Sequence, residues 1–326
     1  MVLRATIAGC GAYLPERRLS NDELAALHRL DTSDAWIRER TGIGFRHLAA
    51  PGETASDMGA AAAREALAHA GVDAAEVDAV LVATSTPDSA FPATAVRIQA
   101  SIGATRGFAF DMAAACTGFV YALGVADSLI RTGQARCVLV IGTEVYSRIL
   151  DWTDRGTCVL FGDGAGAVLL RAAEGAGGTA DRGILSCHLH ADGRHGNILH
   201  VEGGAGSTGG PGLLRMAGKE VFRHAVTKLA AVVDEALAAN GLTHADIGWL
   251  VPHQANARII EAMGRKLNLP AERVVVTVER HANTSAASIP LALNEARRDG
   301  RIADGDLVVM EAIGGGLTWG AALARF

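Results

Sequence analysis

The sequence predicts an α/β protein made of two related halves, and three observations carry that prediction. Helix-patterned segments alternate with short Val/Leu-rich runs, as in a parallel or mostly parallel sheet flanked by helices. Of 326 residues, 49% are hydrophobic, only 5% are aromatic and 39 are glycine, which suits Ala/Val/Leu-rich backbones in close approach. An internal repeat completes the case: Glu65-Ala-Leu-Ala, Gly71-Val72 and Ala75-Glu76-Val77 return 170 positions later (65 to 235) as Glu235-Ala-Leu-Ala, Gly241-Leu242 and Ala245-Asp246-Ile247. At the same offset Ala122-Leu123 pairs with Ala292-Leu293, and the strand Val138–Val140 with Val308–Met310. A chain of this length also exceeds the size at which one core usually stops growing.

Taken in order, the first strand is Ala5–Gly9. The helix around Glu65 leads to a strand at Val80–Ala83, and the helical pattern Phe119, Val120, Leu123, Ala126, Leu129, Ile130 leads to Val138–Val140. Phe161-Gly-Asp-Gly-Ala-Gly lies between the runs Thr157–Leu160 and Ala167–Leu170 and reads as a tight Asp-Gly hairpin, not as a dinucleotide fingerprint. The Gly-rich stretch Glu174–Arg182 is the best junction, giving an N-terminal half 1–174 and a C-terminal half 175–326. A second Gly-rich stretch, Glu202–Gly212, lacks the Gly-Lys-Ser/Thr ending of a phosphate cradle and reads as a mobile loop. Strands follow at Ile247–Val251, Arg273–Val278 and Asp306–Glu311, with helices starting near Asn256 and Ser285.

Several classes are excluded. A net charge of −5 with no run of basic residues offers no track for a nucleic acid backbone. The longest stretch without Asp, Glu, Lys or Arg, Met112–Ala126, falls short of the ~20 residues that cross a bilayer, so a soluble, non-membrane protein is expected. Ile7-Ala8-Gly9-Cys10 has the outline of a lipoprotein cleavage box, but one arginine (Arg4) and a short apolar segment make a poor signal peptide. Cysteines 10, 116, 137, 158 and 187 are odd in number and form no Cys-x-x-Cys pair, which fits a reducing cytoplasm. His188 and His190, with His195 nearby, call for a metal check, but two histidines and an uncertain third rarely make a zinc site, and no metal is expected.

The chemistry gathers at strand-to-helix junctions. Cys116 stands where an apolar run gives way to a helical pattern, a position at which unpaired N–H groups lower a thiol's pKa; alone, it also reads as a buried structural thiol. His253, in Val-Pro-His-Gln-Ala-Asn, follows one strand, and Asn283 follows another; singly, each reads equally as a core residue or helix cap. Together, at the sheet edge where ligands collect, they offer a nucleophile and two neutral donors. Gly314-Gly315-Gly316 adds backbone N–H groups that can approach a carbonyl. Trp36 and Arg40, four apart, put a flat ring and a guanidinium on one helix face, suited to a nucleotide or to core packing. Arg258, Arg265 and Lys266 share another face, which reads as a solvated surface or as a landing site for an acidic partner.

The runs Ala-Ala-Cys-Thr-Gly-Phe, Val-Pro-His-Gln-Ala-Asn, Asn-Thr-Ser-Ala-Ala-Ser and Gly-Gly-Gly-Leu-Thr-Trp-Gly resemble those of β-ketoacyl-acyl-carrier-protein synthase III, a thiolase-fold condensing enzyme, and the likeness runs from Gly9 to Phe326. The resemblance implies a layered αβαβα homodimer with no permanently bound cofactor. Cys116 would take acetyl or another short acyl group from coenzyme A, and the acyl-enzyme would condense with malonyl-acyl-carrier protein, releasing carbon dioxide and initiating fatty acid synthesis. It assigns His253 and Asn283 to the malonyl thioester oxygen and the N–H groups of Cys116 and Gly315 to the acyl oxyanion. Thr32, Trp36, Arg40, Arg155 and Asn256 would line the coenzyme A tunnel, and Phe91 would reach across the dimer to limit the acyl pocket. Arg258, with Arg265 and Lys266, would dock the carrier protein.

Three positions depart from the commonest family pattern: Ala282 where Gly precedes the Asn, Ile313 for a frequent Phe in the wall of the acyl pocket, and Lys219 for an Asn near the pantetheine channel. Rival expectations are a synthase-III-like acyltransferase of secondary metabolism, a papain-like thioesterase in which Asn283 orients His253, and a non-catalytic carrier-binding subunit.

Overall fold

The computed structural model describes the backbone of residues 1–326 and every side chain but that of Pro211. In chain order its elements are β1 (Val2–Tyr13), β2 (Arg18–Ser20), α1 (Asn21–His28), α2 (Asp34–Thr41), β3 (Phe45–His47), α3 (Ala55–Ala70), β4 (Ala79–Ala83), α4 (Thr94–Ile102), β5 (Phe108–Met112), α5 (Gly118–Arg131), β6 (Cys137–Glu144) and β7 (Gly164–Gly175). There follow β8 (Gly183–Ala191), β9 (Leu199–Gly204), β10 (Gly210–Met216), α6 (Gly218–Ala239), β11 (Trp249–Pro252), α7 (Ala257–Lys266), α8 (Val278–His281), α9 (Ser288–Arg298), β12 (Leu307–Gly314) and β13 (Thr318–Arg325).

Two sheets form the frame, ordered β1-β7-β6-β4-β5 and β11-β12-β13-β8. The sequence repeat maps onto them in register. Parallel β4 and β6 place Ala79 opposite Val138, and parallel β11 and β12 place Trp249 opposite Val308, each pair 170 residues apart (79 to 249, 138 to 308). Gly71 and Gly241 both take left-handed φ values, 64° and 65°, which stop α3 and α6 before the chain turns into the sheet.

Helices α5 and α9 fill the space between the sheets. Phe119, Leu123, Ile289 and Leu293 are buried in one cluster with Leu81 and Val138 of the first sheet and Val251 and Val308 of the second. α3 and α4 cover the outer face of the first sheet; α6 and α7 cover that of the second. This is the αβαβα layering that the resemblance implied. Central strands β6 and β12 are buried along their whole length, which explains their nearly unbroken apolar sequence.

Four local expectations are corrected. β1 runs from Val2 to Tyr13, well beyond Ala5–Gly9, because it pairs with β7 past an irregularity between Ile7 and Gly9. Thr157–Leu160 is a turn, not a strand of an Asp-Gly hairpin: the Thr157 hydroxyl bonds back to the Asp154 carboxylate at 2.9 Å, and such local bonds compete with a ladder. Arg273–Val278 makes only a single bridge, Val274 to Leu250. The N–H groups of Thr277 and Val278 donate instead to Gln254 Oε1 (2.8 and 3.0 Å). Glu202–Gly212 is no open loop, since β9 and β10 pair across it as an antiparallel hairpin.

Candidate active site

Cys116 sits in a 3-10 turn, Ala115–Thr117, that leads into α5. Its equivalent in the repeat, Ser285–Ala287, leads into α9, and the two turns pack against each other between the sheets. Gly314, at the end of β12, lies so close that a Cβ there would meet the Cys116 nitrogen at 2.7 Å, which accounts for the first glycine of the triplet. Burial pushes the Cys116 thiol up to about 12, against an opposing hydrogen bond from Ser285. This corrects the expectation of a lowered thiol pKa: desolvation outweighs the helix start.

His253 follows β11 and is buried, its backbone N–H donating to the Glu311 carbonyl at 2.8 Å. Its Nδ1 lies 2.7 Å from Ser288 Oγ, which also accepts the Gln254 N–H at 3.3 Å. No other acceptor for the Ser288 hydrogen occurs among the described residues, so the serine donates to Nδ1 and the ring hydrogen resides on Nε2. Burial lowers the imidazole to about 3, so the ring is neutral at physiological pH. Asn283 is held from its backbone, with its N–H on the Leu160 carbonyl (2.9 Å) and its carbonyl accepting from Gly162 (3.0 Å). Its side-chain Oδ1 accepts the Ser285 N–H at 2.9 Å, the cap-like role read from sequence. Asn283 therefore does not orient His253, as a papain-like triad requires.

Ala282 takes φ 59°, ψ −164°, a region nearly reserved for glycine. The strain is worth about 1–3 kcal/mol. Ala282→Gly also forfeits a buried methyl, about 0.8 kcal/mol, and gives the unfolded chain an entropy advantage of about 0.4–1 kcal/mol. The terms oppose one another, so urea unfolding of Ala282→Gly should show a stability change between about −1 and +2 kcal/mol, whereas β-branched Ala282→Val should be clearly destabilised.

A cavity of about 490 Å³ brings most of the expected residues together: Cys116, His253, Asn283 and Ile313 at its inner end, with Trp36, Arg40, Arg155, Asn256, Arg258 and Lys219 around its mouth. Ser33 caps α2 by accepting the Trp36 N–H at 3.2 Å, and the helix then sets Arg40 over the Trp36 ring at 4.8 Å. Arg155 covers the same ring at 5.1 Å and is anchored on Asp31. Asn256 caps α7 through the Ile259 N–H at 3.0 Å. A second cavity of about 370 Å³ meets the first at Cys116, Phe161 and Leu199 and is lined further by Ser85, Tyr146, Leu214 and Gly315.

Some expected residues lie elsewhere. Thr32 does not line either cavity, and its buried hydroxyl has no partner among the described residues. Phe91 is 86% exposed and lines neither cavity of its own chain. Arg265 and Lys266 project from α7 into solvent, Arg265 beside Glu261 at 3.8 Å. His188 and His190 share one face of β8 and both bond to Glu235 (3.0 and 2.6 Å), while His195 packs against His224. Among the described residues no group of three His, Cys, Asp or Glu side chains is placed to hold a metal ion. Sequence reasoning assigned no role to Ser288, Gln254, Ser285 or Tyr146, although the first three lie inside the runs Val-Pro-His-Gln-Ala-Asn and Asn-Thr-Ser-Ala-Ala-Ser that carry the resemblance.

Comparison with known proteins adds to this geometry. The family description 3-oxoacyl-[acyl-carrier-protein (ACP)] synthase III matches residues 110–193, and its C-terminal counterpart matches 237–326. The β-ketoacyl-[acyl-carrier-protein] synthase III of Acidiphilium cryptum is 69% identical over 323 residues, 99% of either chain. That of Rhodospirillum centenum is 65% identical over the full length of both. The chain belongs to the β-ketoacyl-[acyl-carrier-protein] synthase III family. The crystal structure of the Aquifex aeolicus VF5 3-oxoacyl-[acyl-carrier-protein] synthase III superposes with a TM-score of 0.92 at 45% identity, covering 99% of this chain and 100% of that one. The priming β-ketosynthase from the R1128 polyketide biosynthetic pathway superposes with a TM-score of 0.91 at 38% identity, covering 99% and 96%.

The architecture is thus the thiolase fold, and the protein is a condensing acyltransferase. Its reaction joins a short acyl-CoA, acetyl-CoA in fatty acid initiation, to malonyl-acyl-carrier protein with loss of carbon dioxide. With 69% identity to the Acidiphilium cryptum β-ketoacyl-[acyl-carrier-protein] synthase III and 38% to the polyketide-pathway enzyme, the rival reading of a secondary-metabolism acyltransferase is not favoured.

Proposed function

We propose that Cys116 carries the acyl group and that His253 and Asn283 together hold the malonyl thioester oxygen. The observation that carries this is the pattern of used and unused atoms. His253 Nδ1 and Asn283 Oδ1 are each committed to a serine, while His253 Nε2 and Asn283 Nδ2 have no partner among the described residues, and both side chains line the cavity that holds Cys116. In the first half-reaction the Cys116 sulfur attacks the acyl-CoA carbonyl, whose oxygen faces the N–H groups of Cys116 and Gly315, and coenzyme A leaves as its thiolate. In the second, the two side-chain donors stabilise the enolate formed as carbon dioxide departs. Each contributes roughly 3–4 kcal/mol. The carbanion attacks the acyl-Cys116 carbonyl and expels the sulfur. Side chains and backbone supply every group, so no resident cofactor is required. Carbon dioxide release and 3-ketoacyl product from acetyl-CoA and malonyl-acyl-carrier protein test the scheme; hydrolysis of acetyl-CoA without decarboxylation would refute it.

Coenzyme A enters past Trp36, with Arg40, Arg155 and Asn256 for its polar groups and Thr32 beside the entrance. The 5.1 Å from Arg155 to the Trp36 ring leaves no space for a third flat group, so adenine stacking requires Arg155 to swing outward. Lys219, where the family commonly has Asn, adds a cation to this wall.

Arg258, Arg265 and Lys266 form the landing face for the acidic carrier protein. Charge reversal at Arg265 and Lys266 should raise KM for malonyl-acyl-carrier protein about tenfold at low salt and less at high salt, with acetyl transfer from CoA unchanged. A steady-state salt series checks it.

The active form is a homodimer. β5 is an edge strand of the first sheet, and Phe108 and Phe110 on it are exposed and stacked with ring centres 6.3 Å apart. An unpaired edge with exposed aromatics invites a second copy, and Phe91 then reaches the partner's acyl pocket together with Ile313 from the other side. The sheets support a division into halves 1–174 and 175–326, since apart from Gly175, the last residue of β7, neither sheet takes a strand from the other half. Among the described residues no helix is long and apolar enough to cross a membrane. The five free cysteines support a cytoplasmic location.

A further inference from the structure

His281, two residues before Asn283, lines a third cavity, of about 350 Å³, that shares no lining residue with the two beside Cys116. The cavity lies between β1 and α9. Ala12, Leu14 and Leu291 give it an apolar wall, and Asn294, one turn along α9 from Leu291, lines it from the same helix face. The reaction as proposed uses none of these side chains. β1 is the opposite edge of the first sheet from β5, so a dimer built across β5 leaves the cavity open.

Two polar groups in it lack partners. Asn294 is only 6% exposed, yet its amide makes no hydrogen bond among the described residues, and Oδ1 is sealed from solvent. A half-turn of the terminal torsion presents either end of that amide to the cavity. His281 Nδ1 is likewise buried and unpartnered, and Nε2 stands 3.8 Å from Glu295 Oε2, beyond hydrogen-bonding range. Buried polar groups in folded proteins are nearly all paired, so two orphans at one cavity point to an occupant. The volume is far more than the ~30 Å³ that one water takes in the liquid.

The charged groups around the cavity, by contrast, are already matched. Glu295 Oε1 takes Arg280 at 2.5 Å and Arg301 at 3.0 Å, Asp299 takes Arg301 at 2.7 Å, and Arg298 pairs with Glu65. Burial lowers His281 to about 4, so its ring is neutral at physiological pH. What stays unpaired is an uncharged amide beside an uncharged imidazole, against an apolar wall. An ion entering there would lose its hydration and find no free counter-ion. A neutral flat ring fits, provided that its edge carries an N–H donor next to an acceptor, the complement of a side-chain amide. Asn reads the donor–acceptor edge of adenine by the same two-bond pairing.

We propose that this cavity is a second ligand site, taking a neutral flat heterocycle whose edge pairs with the Asn294 amide while His281 supplies a further hydrogen bond and Leu14 and Leu291 cover the ring. A pyridine carboxamide and an adenine ring both carry such an edge. The place of the site gives it access to the enzyme's chemistry from behind. Its occupant touches His281, and only Ala282, at φ 59°, separates His281 from Asn283. The segment that carries Asn283 is thereby reached without entry into the reaction cavity.

The test titrates nicotinamide and adenosine separately into the wild-type protein, followed by ligand-observed NMR. At least one should bind saturably with a Kd of about 1 mM or tighter; nicotinamide alone marks the pyridine carboxamide as the preferred source of the edge, adenosine alone the adenine ring. Asn294→Leu keeps the size of the side chain and removes both ends of the amide. It should weaken that binding by about tenfold or more and leave acetyl transfer to Cys116 at the wild-type rate, whereas Trp36→Ala, at the coenzyme A entrance, should leave the binding unchanged. Asn294→Asp, which keeps acceptors and loses the donor, should weaken it as well. Binding of neither probe leaves water as the occupant and overturns the proposal, and so does binding that Asn294→Leu retains in full; should the leucine variant not fold, full retention in Asn294→Asp does so.

Discussion

His253→Ala should retain acetyl transfer from coenzyme A to Cys116 while carbon dioxide release from malonyl-acyl-carrier protein slows by about 10²–10³-fold, the effect of deleting one donor to a developing oxyanion. The split follows from geometry. In the proposed scheme backbone N–H groups hold the acyl carbonyl, whereas His253 offers only Nε2–H, fixed in that tautomer by Ser288 at 2.7 Å on the opposite ring nitrogen. With the imidazole lowered by burial to about 3, its neutral form persists across the physiological range. Decarboxylation by the wild type should therefore show no histidine inflection between about pH 5 and 8. Acyl-enzyme formation by mass and carbon dioxide release from labelled malonyl-acyl-carrier protein measure the two halves separately; equal loss of both in a folded variant would contradict the division of roles.

Cys116→Ala carries the largest expected effect: acyl-enzyme disappears and condensation falls to background, because no other side chain in the cavity can form the thioester. Cys10, Cys137, Cys158 and Cys187 line neither of the cavities that meet at Cys116. Burial raises all five thiols, Cys116 included, so access to the cavity and not acidity separates Cys116 from the others. Incubation with acetyl-CoA followed by mass measurement should show acetylation of the wild type alone. Since a buried alanine fits the same turn, the variant should fold, and decarboxylation should survive it in part because His253 and Asn283 remain.

The site was legible in the sequence where function coincides with punctuation of the fold. Cys116, His253 and Asn283 each stand between an apolar run and a helical pattern, and the repeat fixes two of those junctions as equivalents, with the turn at 115–117 matching that at 285–287. What was not legible depends on contacts between the halves. Ser288 reads as an ordinary residue in a helix, yet it sets the His253 tautomer. Gln254 reads as a polar neighbour of His253, yet its side chain replaces the ladder expected for Arg273–Val278. The thiol shift was misjudged because periodicity places Cys116 at a helix start but does not reveal how completely the second half encloses it. Phe91 appears idle within one chain because the expectation for it concerns a second copy.

The central claim is that one sulfur, Cys116, holds the acyl group while His253 and Asn283 draw carbon dioxide from the second substrate beside it. The most direct measurement is proteolytic mapping of the wild-type protein after acetyl-CoA, before and after a chase with malonyl-acyl-carrier protein. The expected result is one acetyl group on the peptide bearing Cys116, discharged as 3-ketoacyl product with equimolar carbon dioxide. Acetyl on any other residue, or discharge as free acetate without carbon dioxide, would contradict it.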